Sequence, residues 1–177
     1  GISARARGDG ALALGTQTKA TSIRSTAIGH QAEASGADSI SIGTLSGASN
    51  THSIAIGDKA RAYGIDAIAF GASANATATN AMAVGRNARS TAGGSVAVGI
   101  NTEVTQINSV AMGATAKAYG DSAVSLGVDV VSRGHSAVAV GANADALAQS
   151  AVSIGDSTLA NAHNAVSVGI SSQATAE

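Results

Sequence analysis

The stretch GGSVAVG at residues 93–99 decides the fold, because its pattern returns at a constant interval along the chain. NAMAVG ends at Gly85, NSVAMG at Gly113 and HSAVAVG at Gly141. Steps of fourteen positions from Gly99 meet a glycine every time between Gly1 and Gly169, with no insertion or deletion. A fixed short period is typical of a solenoid, in which each repeat is one coil that packs only on its neighbours.

The composition argues against a thick globular interior. The 177 residues include one Phe, two Tyr and no Trp, Cys or Pro, and the net charge is −1. This charge gives no general attraction to nucleic acid or membrane, and no apolar run reaches the roughly 18 residues of a membrane span. Since the chain starts and stops within the pattern, we expect a piece excised from a longer protein.

The residues before each glycine predict a strand. Large apolar residues occupy the first and third positions before the glycine, as at Val96 and Val98, and Ala or Ser stands between them. This alternation indicates a strand with two distinct faces. The glycine is expected to end the strand at a corner. The predicted corner glycines are Gly15, Gly29, Gly43, Gly57, Gly71, Gly85, Gly99, Gly113, Gly127, Gly141, Gly155 and Gly169.

A second, shorter strand follows each corner. Small residues flank a mostly polar one, as in Ala60-Arg61-Ala62 and Ala116-Lys117-Ala118, and a stretch rich in Gly, Asn, Asp and Ser comes next. Each coil is therefore predicted to be strand, corner, strand, corner, in an all-β parallel solenoid.

Side-chain size suggests which face of the longer strand points inward. An interior lined only by Ala and Ser is too thin for sheets packed about 10 Å apart, so we expect the Ile and Val rows inside. The Ala and Ser row would then point outward and contact other copies of the chain. Its trimer-contact candidates are Ala55, Ala69, Ala83, Ala97 and Ala111. The alternative places Ile and Val at the interface. Ordering one coil costs more than its two buried aliphatic side chains return, which favours an oligomer.

The motifs SVAVG, NSVAMG, DSISIG and HSIAIG, each followed by small residues flanking a polar one, strongly resemble the head repeats of trimeric autotransporter adhesins, the YadA-like head. The resemblance covers essentially all of residues 1–177. It implies a left-handed parallel β-roll of about twelve to thirteen coils, homotrimeric, forming a single head segment of a longer surface protein. It also implies extracellular display on the outer membrane of a Gram-negative bacterium, attachment to host cells or extracellular matrix, and in some members self-association.

Catalytic and metal sites are not expected. The four histidines occupy different points of the coil, and no pair has ligand spacing with a third donor beside it. No Ser-His-Asp or paired-carboxylate arrangement recurs on one face, so we expect neither an enzyme nor a cofactor. We also expect no nucleic-acid partner and no membrane insertion by this segment.

The outward row of the shorter strands offers a candidate ligand face. Exposed Tyr beside Arg or Lys is enriched at binding hot spots, and ARAYG and AKAYG place them together. The candidate residues are Arg61, Tyr63, Arg89, Lys117, Tyr119 and Arg133. The plainer interpretation is that each Tyr fills a groove between chains or covers a glycine. Extra apolar bulk at Leu45, Val104 and Val130 predicts either a ligand patch or a local change of twist.

Other functions of a solenoid remain as alternatives. An ice- or surface-binding solenoid needs a flat row of Thr, but Tyr63, Tyr119, Arg133 and Leu147 interrupt the row that contains Thr21 and Thr91. A purely structural spacer within a long surface fibre needs no ligand face at all. Hexapeptide-repeat enzymes need a period of six, which does not divide fourteen.

Overall fold

The computed structural model describes residues 1–175 and forms two compact units, one of residues 1–88 and a second that begins at Arg89. Both units consist of the same coil of about fourteen residues: a three-residue strand, a turn, a two-residue strand and a second turn. The chain is thus an all-β parallel solenoid of about 12 coils, as its period predicts.

In the first unit the two kinds of strand alternate along the chain. The two-residue strands are β1 (Arg5–Ala6), β3 (Lys19–Ala20), β5 (Glu33–Ala34), β7 (Gly47–Ala48), β9 (Arg61–Ala62) and β11 (Asn75–Ala76). The three-residue strands are β2 (Leu12–Leu14), β4 (Thr26–Ile28), β6 (Ile40–Ile42), β8 (Ile54–Ile56), β10 (Ile68–Phe70) and β12 (Met82–Val84).

The second unit continues this alternation. Its two-residue strands are β13 (Arg89–Ser90), β15 (Glu103–Val104), β17 (Lys117–Ala118), β19 (Val131–Ser132), β21 (Asp145–Ala146), β23 (Leu159–Ala160) and β25 (Gln173–Ala174). Its three-residue strands are β14 (Val96–Val98), β16 (Val110–Met112), β18 (Val124–Leu126), β20 (Val138–Val140), β22 (Val152–Ile154) and β24 (Val166–Val168).

Within each unit every strand pairs in parallel with the strand one coil further on. Ile54 lies opposite Ile68 in the first unit, and Val110 lies opposite Val124 in the second. Each side chain therefore stacks on the residue fourteen positions away, at the strand spacing of about 4.8 Å. Equivalent residues of successive coils therefore form rows, and one substitution changes one residue of a row.

The glycine after each three-residue strand marks a turn that only glycine adopts easily. These glycines have φ between 125° and 140°, far from the region that other residues prefer. A Cβ atom at Gly57 would also lie 2.5 Å from the carbonyl oxygen of Gly71 on the next coil. Backbone conformation and the close approach of coils both require glycine at this position.

A second rhythm divides each coil into halves of seven residues. Positions 3, 10, 17, 24 and so on have a left-handed backbone, with φ between 50° and 66°, in both turns of the coil. Most are Asn, Asp, Ser or Gly, the residues that tolerate this conformation best. Leu45, Lys59 and Thr115 occupy it too, and this variety explains why the rhythm is hard to detect in the sequence.

The interior of the coil is lined by small residues from both strands, which corrects the predicted orientation. Ala and Ser at the centre of the three-residue strands are fully buried, whereas the large apolar residues beside them point outward and are half-buried or exposed. The predicted trimer-contact residues Ala55, Ala69, Ala83, Ala97 and Ala111 each have 0% exposure. They lie inside a single chain, so the prediction that they contact another copy is wrong.

The physical reason is that the coil interior is much narrower than a β-sandwich. The hydroxyl oxygens of Ser41 and Ser46 lie 2.7 Å apart across one coil, and those of Ser125 and Ser132 lie 2.9 Å apart. Side chains of one or two heavy atoms already meet, so the sheet spacing of about 10 Å in a sandwich does not apply. Where a larger residue enters, as at Val104 and Val130, it is fully buried rather than part of a ligand patch.

Candidate functional site

The outward residues of the three-residue strands form an apolar face on each unit. In the first unit this face includes Ile54, Ile56 and Phe70, of which Phe70 is 52% exposed. In the second unit it includes Val110 and Met112. Two large apolar side chains per coil, repeated in register, give each unit a continuous apolar surface of a kind that monomeric proteins rarely leave uncovered.

The opposite side of each unit is mostly polar, although Val131 and Leu159 also stand there in the second unit. We call it the short-strand face. It consists of the outward residues of the two-residue strands and the residues two positions after them. In the first unit it carries Arg61 and Tyr63, both exposed. The Tyr63 ring lies over Gly47, since a Cβ atom at Gly47 would be 3.2 Å from Cε1 of the tyrosine. The ring remains 40% exposed. Tyr63 therefore covers a strand glycine and still offers an aromatic surface to solvent.

Tyr119 has the same direction in the second unit but meets a carboxylate. Its hydroxyl donates a hydrogen bond of 2.6 Å to Oε2 of Glu103, which stands 16 residues earlier, as Gly47 does from Tyr63. Burial and then the bond to Glu103 raise the pKa of Tyr119 to about 12. Arg89 approaches the other oxygen of Glu103, at 3.9 Å. Tyr119 is thus held as a neutral donor to an anchored carboxylate.

The remaining candidates of the second unit lie beside this group. Lys117 is half-buried in β17, and Arg133 is exposed two positions after β19 starts. The Asp145 carboxylate is close enough to Arg133 to feel its charge, yet burial raises the pKa of Asp145 against that attraction. Arg89, Lys117, Tyr119 and Arg133 belong to the second unit, whereas Arg61 and Tyr63 belong to the first. The six predicted residues therefore form two groups.

The turns carry ion pairs between successive coils. Arg24 donates to Asp38 through Nε at 2.5 Å and through Nη2 at 2.7 Å, and this bond holds the pKa of Asp38 below its usual range. His52 Nδ1 lies 2.9 Å from an oxygen of Asp66. His30, His135 and His163 are exposed on turns. Among residues 1–175 no three His, Asp or Glu side chains lie together as a metal-ligand set would.

Two features of these surfaces escaped the sequence prediction. The pairing of Tyr119 with Glu103 joins residues 16 positions apart, and the repeat of fourteen gives no indication of it. The apolar face was recognised as a set of rows but was placed inside the coil. The sequence did contain a signal for the correct orientation. In the three-residue strand the central position is Ala or Ser in every coil, as expected of a position enclosed in a narrow interior.

These features define a class of protein: a parallel β-solenoid with a coil of about fourteen residues, a small-residue interior, one apolar face and one polar face. The family model of the YadA head domain repeat (2 copies) matches residues 1–18, 6–32, 20–46, 48–74, 76–102, 105–129 and 132–158. The chain therefore belongs to the YadA head family, the head domains of trimeric autotransporter adhesins. No curated protein matches it.

The family carries general consequences for this chain. YadA-like heads form trimers, bind host matrix in general and are displayed on the surface of Gram-negative bacteria. The family is non-enzymatic in general. Within the part of the chain that the structure describes, we find no helix with the length and apolar character needed to cross a membrane.

Proposed function

We propose that this chain is the homotrimeric head of a surface adhesin, displayed outside the outer membrane of a Gram-negative bacterium. Three copies pack through their apolar faces, and the short-strand faces attach to host-cell or matrix molecules. Repetition along the coils and threefold assembly multiply weak contacts, so that attachment strength comes from avidity.

The observation that carries the proposal is the apolar face itself. Four side chains of this face are between 45% and 57% exposed in the single chain, although the strands that carry them are hydrogen-bonded to neighbouring strands: Leu12, Leu14, Phe70 and Met112. Covering such side chains stabilises an assembly by about 25 cal/mol per Å² of apolar surface. Since the Ala and Ser rows are already enclosed, the large apolar side chains of these strands are the ones that can cover another copy along successive coils.

The assembly is tested by sedimentation of the full chain. We expect a trimer for the natural sequence and dissociation to monomer at micromolar concentration for the double variant Ile54→Asp, Ile68→Asp, whose side chains lie opposite each other in β8 and β10. Arg61→Asp, on the short-strand face of the same unit, is the matched control and should remain trimeric. A monodisperse monomer of the natural sequence would contradict the proposed assembly.

Attachment is tested by binding to arrays of matrix proteins and to cells. We expect weaker binding when Arg61, Tyr63, Lys117 and Tyr119 are all changed to Ala, whereas Lys59→Ala, on a turn, should bind normally. Unchanged binding by a folded trimeric quadruple variant would remove the short-strand face from the proposal. A trimer that binds neither matrix nor cells would favour a spacer within a surface fibre.

A further inference from the structure

Two rows of turn residues border the apolar face of the first unit. The entry border stands two positions before each three-residue strand begins, and the exit border stands two positions after it ends. All of these residues are exposed except Asp38, which is half-buried. The entry border is Gly10, Arg24, Asp38, His52, Asp66 and Asn80, and the exit border is Thr16, His30, Thr44, Asp58, Ala72 and Arg86.

Threefold symmetry decides which borders meet. When three parallel copies turn their apolar faces towards one axis along the coils, every three-residue strand runs in the same sense around that axis. The exit border of one copy then lies beside the entry border of the next copy, and no border meets its own equivalent. The contact is heterologous and closes after three copies.

The entry border of the first unit carries charges of alternating sign. Arg24 binds Asp38 on the next coil, and Nδ1 of His52 lies 2.9 Å from an oxygen of Asp66 on the coil after His52. An imidazolium has two N–H donors, so the bond to Asp66 uses one and leaves Nε2 for a second acceptor. The His52 side chain is 59% exposed. It can therefore accept a contact from outside its own chain.

The exit border places a carboxylate at the level of this imidazole. Symmetry puts equal residues of the three copies at equal height. Asp58 follows His52 by six positions and precedes Asp66 by eight, so on the neighbouring copy its level is about 2 Å beyond His52 and about 3 Å short of Asp66. The Asp58 side chain is 52% exposed. A carboxylate there is attracted by the imidazolium and repelled by Asp66, so His52 is its partner.

The second unit has the same two borders with different chemistry. Its entry border from Gly94 to Ser150 contains no charged residue, and its exit border from Ile100 to Ala142 is apolar. Ile100 and Val128 in that exit border are 47% and 51% exposed. Charged rows thus stand on both edges of one apolar face, and uncharged rows stand on both edges of the other. This agreement is expected if the two edges contact each other.

We propose that the exit border of each copy packs on the entry border of the next copy, with Asp58 bound to His52 of that copy. The partner at these borders is a second copy of this chain, and the contact continues the apolar interface on both sides. The inference rests on the proposed trimer and adds the pairing of its edges. Three equivalent bonds then close the first unit of the trimer.

Disulfide trapping tests the pairing, because the natural chain contains no cysteine. We expect the full chain with His52→Cys and Asp58→Cys to form a covalent trimer after mild oxidation, seen on a non-reducing denaturing gel. The strand β8 keeps the two positions more than about 10 Å apart within one chain, too far for an internal disulfide. Asn80→Cys with Arg86→Cys, the equivalent pair two coils further on, should give the same product.

The matched control is Thr51→Cys with Lys59→Cys. These residues adjoin His52 and Asp58 in the chain but border the short-strand face, so they should give no covalent trimer. A second measurement tests the bond itself. At a fixed urea concentration, Asp58→Asn should raise the dissociation constant of the trimer about tenfold through the loss of three exposed ion pairs. Glu33→Gln, on the short-strand face, should leave that constant unchanged.

The outcomes separate this inference from the proposed function. A natural-sequence monomer overturns both. A trimer in which neither border pair forms a disulfide overturns the edge pairing alone. Covalent trimers of the Thr51 and Lys59 pair would place the interface on the short-strand face and overturn both proposals. Covalent trimers of the border pairs support the pairing, and equal dissociation constants for Asp58→Asn and the natural sequence would overturn the bond from Asp58 to His52.

Discussion

Replacing a single turn glycine should destabilise the chain far more than replacing a strand glycine nearby. Gly57 has φ 135°, and a Cβ atom there would lie 2.5 Å from the Gly71 carbonyl oxygen and 2.6 Å from its carbon. Because the obstacle is backbone of the next coil, it cannot rotate away. Gly57→Ala must therefore either strain its own backbone or push two coils apart.

The size of the effect follows from these two contributions. A non-glycine residue in such a backbone conformation costs about 1–3 kcal/mol. Separating the coils weakens the bond from Gly71 N to Ile56 O, now 2.8 Å, which contributes about 1 kcal/mol. We expect Gly57→Ala to lower the free energy of unfolding by about 2–4 kcal/mol per chain.

Gly47 provides the matched control on the same unit. Its φ lies outside the left-handed region, and the nearest atom to a new Cβ is Cε1 of Tyr63 at 3.2 Å, at the far end of a side chain that can move. Alanine in a strand is about 0.5–1 kcal/mol more favourable than glycine, which offsets the contact. The free energy of unfolding of Gly47→Ala should lie within about 1 kcal/mol of that of the natural sequence.

The measurement is guanidinium unfolding followed by circular dichroism, at one protein concentration for all three chains because assembly shifts the midpoint. We expect a clearly lower midpoint for Gly57→Ala alone. The requirement for glycine at the turn is refuted if Gly57→Ala has the same unfolding midpoint as the natural sequence, or if Gly47→Ala lowers the midpoint as much as Gly57→Ala does.

Two other expectations concern the interior and the tyrosines. Ala83→Leu should lower the free energy of unfolding by at least about 1–3 kcal/mol in the same assay, because the side chain is enclosed within one coil; an unchanged midpoint would mean that residue 83 points outward. Tyr119, isolated by Tyr63→Phe, should titrate by tyrosinate absorbance near pH 12 and lower on Glu103→Gln. Since the pKa in the unfolded chain is about 10, the stability that protonated Tyr119 contributes should be fully present below about pH 10 and be lost as pH rises to about 12; a midpoint near 10 in the folded protein would contradict the bond to Glu103.

The coil could be predicted from the sequence because its determinants recur in every repeat. The glycine, the two strands and the outward row that contains Arg61 and Lys117 follow from local alternation and turn chemistry. The turn conformation at Leu45 and Thr115 could not be predicted, since neither residue type favours it. There the neighbouring coils fix the backbone and override local preference.

The prediction of which face of the longer strand points inward failed for a different reason. The alternation at Val96, Ala97 and Val98 shows that two faces differ, but it does not show which one is enclosed. That depends on the distance between the two strands of a coil, which the turns set and which the direct contact of Ser125 with Ser132 makes visible. The bond between Tyr119 and Glu103 was equally inaccessible, because it depends on the direction of a side chain across two coils.

The seven-residue halves of the coil set a rule for how such a chain can change its length. Removing one half-coil would leave every left-handed turn in phase, yet it would exchange the two sheets beyond the deletion and turn the apolar row to the polar side. Removing or adding one whole coil preserves both turns and faces. Growth of this head by whole coils therefore needs no compensating substitution, whereas a half-coil change interrupts the apolar face.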